Sequence, residues 1–160
     1  MNDFEKYTFV LSDDHKERLK FFFYKKGIVG SWPVHTQVDR YLATRAKGIY
    51  KPEGWKYALS VRQNIQANYP DRKPVHNDNG SWTYEYFQEG YDLARPKDLY
   101  TNKAMIKCQE DKVPIGVILQ LKKKPNPQYE YLGCAIVAYR KESGHFLLLG
   151  FNKEGNLNAR

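Results

Sequence analysis

The sequence predicts an α+β fold: a mixed, mostly antiparallel β-barrel with flanking helices. Three observations predict it. Apolar residues recur at helical spacing in the first 47 residues, and the period then changes to two. The last third carries three β-branched and aromatic runs, VPIGVILQL, YEYLGCAIVAY and GHFLLLGF, joined by short connections. The length of 160 residues, with 41% hydrophobic and 28% charged residues, fits one soluble globular domain.

Each element follows from local chemistry. Ser12 is placed to cap a helix over 13–26, with Asp13 and Asp14 in its first turn and Lys25 and Lys26 in its last. Leu19, Phe22 and Phe23 form its core face. A second helix is expected over 35–46, where Val38, Tyr41, Leu42 and Arg45 are spaced by three and four and Gly48 follows. In YALSVRQNI, Tyr57, Leu59, Val61 and Gln63 alternate with Ala58, Ser60 and Arg62, as in a half-buried strand. A polar connection over 68–81 holds Pro70, Pro74 and the turn DNG. SWTYEYF alternates again, with Trp82, Tyr84 and Tyr86 on one face and Thr83, Glu85 and Phe87 on the other. Residues 90–100 read as loop around Pro96. Thr101 is placed to cap a short helix through NKAMIKCQED, with Ala104, Met105 and Cys108 inward. KKKPNPQ is a basic, proline-containing turn, and NKEGNLNAR reads as a frayed tail or the start of a linker. The expected organisation is a single domain over 1–160, with a helical extension over 1–47, a barrel core over 48–151 and the start of a linker over 152–160.

Composition narrows the function. No apolar run approaches the roughly 20 residues of a membrane span, so no membrane partner is expected. MNDFEKYTFVLSDDHKE places acids before any apolar run, unlike a signal peptide. Cys108 and Cys134 lie far apart in apolar segments, as free thiols of a reducing cytoplasm do. His15, His35, His76 and His145 are scattered, so no metal is expected. GxSxG, Walker and GxGxxG motifs are absent, and Asp71, Asp78 and Glu85 form no compact nuclease motif with a lysine. A binding module without a cofactor is therefore expected, rather than an enzyme. The net charge of +8 favours an anionic partner, with nucleic acid first.

The stretch YPDRKPVHNDNGSWTYEYFQEGY carries Tyr69, Trp82, Tyr84, Tyr86, Phe87 and Tyr91 in polar surroundings. Nucleobases stack on such rings, at about 1–3 kcal/mol each. A base removed from its duplex is held between rings while polar groups read its edge. Asp71 is an acceptor suited to an exocyclic amine. Two ordinary readings stand beside this one. Alternating aromatics are frequent strand core, and an acid after Pro70 is a common turn residue.

Three blocks in order carry a resemblance. They are KGIYKP followed by YALSV; YPD…DNGSWTYEYF; and TNKAMIKC followed by VPIGVI and YEYLGCAIVAY. Over about 47–151 the chain resembles the SRA (YDG) domain, a PUA-like barrel. It is most similar in pattern to the SRA-like domains on the N-terminal side of bacterial HNH modification-dependent restriction endonucleases. The resemblance implies a domain that flips a 5-methyl- or 5-hydroxymethylcytosine out of double-stranded DNA. By that resemblance Tyr69 and Tyr84 stack on the base, Asp71 reads its Watson–Crick edge, and Thr83 and Glu85 flank the second ring. Asn102 and Lys103 begin the loop that approaches the vacated duplex, Arg62 and Gln63 lie near a second probing loop, and Lys51 stands for an arginine near phosphate. Nuclease chemistry is then expected in a C-terminal domain beyond this chain. The chain departs from the family at Tyr50, where the family has histidine, and at Glu85–Glu89, where it has a glycine-rich stretch. Glu85 then either changes the hydrogen-bond pattern at the base or lies outside the pocket. A PUA-like RNA-binding module, a reader of another modified base, an enzyme acting on nucleic acid and a protein-interaction module are the alternatives.

Overall fold

The computed structural model of the chain describes residues 1–25, 27–29, 34–35, 40–43, 48–64, 73–87, 100–122, 126–141 and 145–157. Asn2 opens helix α1 (Asp3–Thr8) with a capping box. The Asn2 side chain accepts from the Glu5 amide while the Glu5 carboxylate accepts from the Asn2 amide. The Asn-x-x-Glu spacing was legible in the sequence, yet this helix was not expected. Helix α2 (Asp13–Tyr24) starts at Ser12, whose hydroxyl accepts from the His15 amide, as the sequence predicts. Leu19, Phe22 and Phe23 are buried on it.

The helix expected over 35–46 is not formed. Strands β2 (Val34–His35) and β3 (Arg40–Tyr41) pair antiparallel there instead. Val34 is in register with Tyr41 and His35 with Arg40 in that ladder, and β-branched and aromatic residues have high strand propensity.

The other strands form one sheet of eight. They are β1 (Gly27–Val29), β4 (Ile49–Tyr50), β5 (Ser60–Asn64), β6 (Val75–His76), β7 (Trp82–Phe87), β8 (Ile115–Lys122), β9 (Gln128–Arg140) and β10 (His145–Gly150). The order is β4-β5-β8-β9-β10-β7-β6, with β1 on β9. The β5–β8 pair is parallel, and every other pair in the sheet is antiparallel. The α+β class and the mostly antiparallel sheet are as predicted. The barrel expected from the sequence is not closed: among the described residues no ladder joins the two ends of the sheet. Strand β9 is long enough to serve two neighbourhoods. Tyr129–Tyr131 lies between β1 and β8, and Ala135 lies between β8 and β10. The β8–β9 register shifts beside Gly133, whose φ of 115° is open to glycine, and such a bulge bends the strand.

The sheet is covered on both faces. Helix α3 (Tyr100–Asp111) puts Ala104, Met105 and Cys108 into the inner core with Val61, Val117, Trp82, Tyr84 and Tyr86. On the outer face, Leu19, Phe22 and Phe23 pack with Leu59, Ile118, Tyr131 and Phe151. The segment that enters β5 therefore differs from the half-buried expectation: Ala58, Leu59, Ser60 and Val61 are all buried, while Arg62 and Gln63 further along the strand are half-buried. Its neighbours are a parallel strand on one side and β4 on the other, and a strand with both faces covered reads as a continuous apolar run. Two glycines permit close approach. A Cβ at Gly116 would run into the Phe22 ring, and one at Gly150 into the Trp82 indole. Residues 152–157, expected as a fraying tail, are tied to α1. The Phe4 amide donates to Gly155 O at 2.8 Å, and the Leu157 amide donates to Asp3 Oδ2 at 2.9 Å.

Candidate nucleic-acid interface

The hairpin β6–β7 begins the site. Its turn is the predicted DNG: the Asn77 amide donates to Ser81 O at 2.8 Å, the Gly80 amide donates to Asn77 O at 3.0 Å, and Gly80 takes a φ of 89°. The turn delivers strand β7 with Trp82, Tyr84 and Tyr86 inward, and all three rings are buried in the inner core. Their face is the one the alternation predicts. Tyr69 and Asp71 lie outside the described residues.

Tyr84 is 2% exposed. Its hydroxyl donates to Gln63 Oε1 at 2.8 Å, so β7 meets the end of β5 across the interior although the two strands are far apart in the sheet order. Sequence spacing gave no hint of this contact, because 21 residues separate the partners. Gly48 supports the same approach: a Cβ there would collide with the Tyr86 hydroxyl and lie 2.9 Å from Arg62 O. The glycine of KGIYKP thus lets β4 close against β7.

Thr83 and Glu85 lie on the opposite face of β7, as the alternation predicts, so the strand does not bring them together with the Tyr84 ring. The Glu85 carboxylate is taken up by the β9–β10 connection. Lys141 donates to its Oε1, and His145 Nδ1 lies 3.9 Å from its Oε2. The hydrogen bond from Lys141 to Glu85 raises the lysine pKa above its ordinary value. Neither partner was a sequence candidate, because both come from a segment more than 50 residues on.

The basic and polar candidates fall into two groups. Lys51, just after β4, has its ammonium 5.8 Å from the centre of the Tyr100 ring at the start of α3. Arg62 on β5 is half-buried, and its amide donates to Gly48 O at 2.7 Å. Lys103 is exposed on the first turn of α3. Its neighbour Asn102, expected in a loop at the duplex, is 1% exposed inside the helix. The helix begins at Tyr100, so Thr101 lies within it rather than capping it, and Thr101 and Asn102 are the residues of its first turn that face the core. Both cysteines are free and buried, and burial pushes the Cys108 thiol up to about 12. Among the described residues there is no cluster of three metal-ligating side chains, and no helix is long and apolar enough to cross a membrane.

No protein-family model matches the chain, and no curated protein matches it. Solved structures do. The SRA domain of SUVH5 in complex with fully methylated CG DNA is 21% identical, over 78% of this chain and 86% of that one, with a TM-score of 0.45. The chain is similar to SRA domains. KRYPTONITE in complex with mCHH DNA, an H3 peptide and SAH is 20% identical over 91% of this chain, which spans 38% of that one, with a TM-score of 0.43. The DNA recognition domain of the cytosine modification-dependent restriction endonuclease LpnPI is 13% identical over 79% of this chain and 70% of that one, with a TM-score of 0.41. At these values the likeness to SRA domains decides neither the fold nor the ligand, which rest on the residues of this chain.

Proposed function

We propose that the chain is a DNA-binding module that recognises a flipped 5-methyl- or 5-hydroxymethylcytosine and serves as the specificity domain of a modification-dependent restriction endonuclease. The nuclease, of HNH type, lies in another domain. The observation that carries the reading is the bracketing of Tyr84. Gln63, one residue before the end of β5, accepts from its hydroxyl, and Val75 of β6 pairs with Thr83 beside it. The segment with Tyr69 and Asp71 leaves from one neighbour of Tyr84 and returns to another. From Asn64 to Tyr69 the chain spans at most about 18 Å, and from Asp71 to Val75 at most about 14 Å. These lengths allow Tyr69 and Asp71 to join Tyr84, and two rings with a carboxylate are the set a base pocket needs. The net charge of +8 supplies the nonspecific attraction to phosphate. Because Tyr84 is buried, base entry requires the side chains over its ring to give way.

The test is a binding panel of otherwise identical duplexes carrying cytosine, 5-methylcytosine, 5-hydroxymethylcytosine, glucosylated cytosine or N6-methyladenine, at several salt concentrations. The expected result is a preference of about tenfold or more for 5-methyl- or 5-hydroxymethylcytosine, lost in Asp71→Ala and Tyr84→Ala while salt-dependent binding persists. Equal affinity of the native chain for all five duplexes at every salt concentration overturns the proposal.

A further inference from the structure

The turn between β6 and β7 carries chemistry that base recognition does not use. Of all the asparagines in the sequence, only Asn79 is followed by glycine. An asparagine side-chain amide is open to attack by the backbone nitrogen of the next residue, and a side chain on that residue hinders the approach. Gly80 has none. Asn79 and Gly80 are both exposed, so water and hydroxide reach them.

The Asn79 side chain is folded back over its own peptide. Its Oδ1 accepts from the Ser81 amide at 3.0 Å and from the Ser81 hydroxyl at 2.6 Å. The first of these bonds closes an Asx turn, which brings the side-chain Cγ toward the Gly80 nitrogen. Both donors aim at the oxygen on which charge develops when Cγ is attacked, the arrangement of an oxyanion hole. The nitrogen that departs is held loosely: Asn79 Nδ2 lies 3.5 Å from Leu157 O, at the limit of a hydrogen bond. One bond opposes the step. The Gly80 amide donates to Asn77 O at 3.0 Å and must be released first. Gly80 is exposed, so water takes up the freed amide and the release costs little. Other asparagines lack this combination. Asn126 precedes a proline, which has no N–H, Asn102 is buried inside α3, and Asn77 precedes Asp78, whose side chain crowds the approach.

We infer that Asn79 is a site of spontaneous deamidation in the folded chain, promoted by the Ser81 donors. Hydroxide takes the Gly80 amide proton, and the nitrogen attacks Asn79 Cγ. The new bond from Cγ to the Gly80 nitrogen replaces the bond from Cγ to Nδ2. Nδ2 leaves as ammonia with a proton from water, which restores the hydroxide. Water then opens the cyclic imide at either carbonyl. One opening gives aspartate. The other gives isoaspartate, with the main chain routed through Cβ and Cγ. Nothing is oxidised or reduced: water has replaced ammonia.

The isoaspartate product alters the fold around it. Asn79 O accepts from Asn152 Nδ2 at 3.0 Å, and Asn152 Oδ1 in turn accepts from the Asn156 amide at 2.8 Å. Rerouting the main chain at 79 moves the carbonyl that Asn152 holds and removes the acceptor from Ser81. The turn that delivers β7 is thereby loosened from residues 152–157. The inference stands whatever ligand the Tyr84 region takes.

The test ages the whole chain in buffers across the neutral pH range, below its thermal midpoint. Peptide mass mapping follows each asparagine, and an isoaspartate-specific methyltransferase marks the rearranged product. Deamidation at Asn79 should run about tenfold or more faster than at any other asparagine, with a rate that rises with pH. Ser81→Ala deletes the hydroxyl donor and should slow it by about tenfold, while Ser81→Thr keeps the hydroxyl and the native rate. Because Ser81 is buried, Ser81→Cys is a second variant of similar size, and its weak donor should give a rate between the two. The isoaspartate form should melt below the Asn79→Asp variant, which has the same charge and an unaltered main chain. An Asn79 that reacts no faster than the other asparagines overturns the inference. Native rates in folded Ser81→Ala and Ser81→Cys overturn the role of Ser81, and equal melting of the isoaspartate form and Asn79→Asp overturns the effect on the turn.

Discussion

The two faces of β7 share one backbone and meet different neighbours. On the inner face, Trp82, Tyr84 and Tyr86 are enclosed by β4, β5, α3 and β10 side chains, and the Tyr84 hydroxyl reaches Gln63. On the outer face, Glu85 answers Lys141 and His145 across a surface where both carboxylate and ammonium remain in contact with water. A residue's neighbour in sequence is thus its stranger in space. The strand thus divides into an interior set, Trp82, Tyr84 and Tyr86, that packs the inner core and an exterior Glu85 that ties down a connection.

Mutations on the two faces separate these roles, and the largest effect is expected inside. Trp82→Ala removes a ring packed directly under Gly150 and should cost about 3–5 kcal/mol, read as a fall in the urea midpoint. A loss no greater than that of a surface substitution breaks the contrast. Tyr84→Phe keeps the ring and removes only the hydroxyl that bonds Gln63. It should cost about 0.5–1.5 kcal/mol, the net contribution of one part-buried hydrogen bond. The same variant sharpens the functional reading: if the ring stacks on a base, preference for modified duplex survives the loss of the hydroxyl. The smallest effect is expected outside. Glu85→Gln breaks an exposed ion pair, and exposed pairs contribute little. Its thermal midpoint should match that of the native chain, and its preference among modified duplexes should not move. A changed preference places Glu85 at the base and reverses the assignment of the two faces.

Much of the fold was legible because it is local. The Ser12 cap, the buried face of α2, the DNG turn, the inward face of α3 and the three late strands all follow from neighbouring residues and their periodicity. Where the sequence misled, long-range pairing overrode a local pattern. The spacing of Val38, Tyr41 and Leu42 reads as a helix, yet Arg40–Tyr41 is held in a ladder with Val34–His35. Alternation in YALSVRQNI reads as a strand with one wet face, yet α2 and the inner core cover both.

The candidate sites divide in the same way. The sequence by itself determined that β7 carries three inward rings, that the chain is basic, and that Tyr69 and Asp71 stand near them along the chain. These are matters of strand period, composition and order. Only the tertiary structure decided that Gln63 is the partner of Tyr84, that Glu85 belongs with Lys141, and that Asn79 meets Asn152 and Leu157. Each of those contacts closes a loop of tens of residues. The free energy of such closure comes from burying the whole core at once, so no short window of sequence records it.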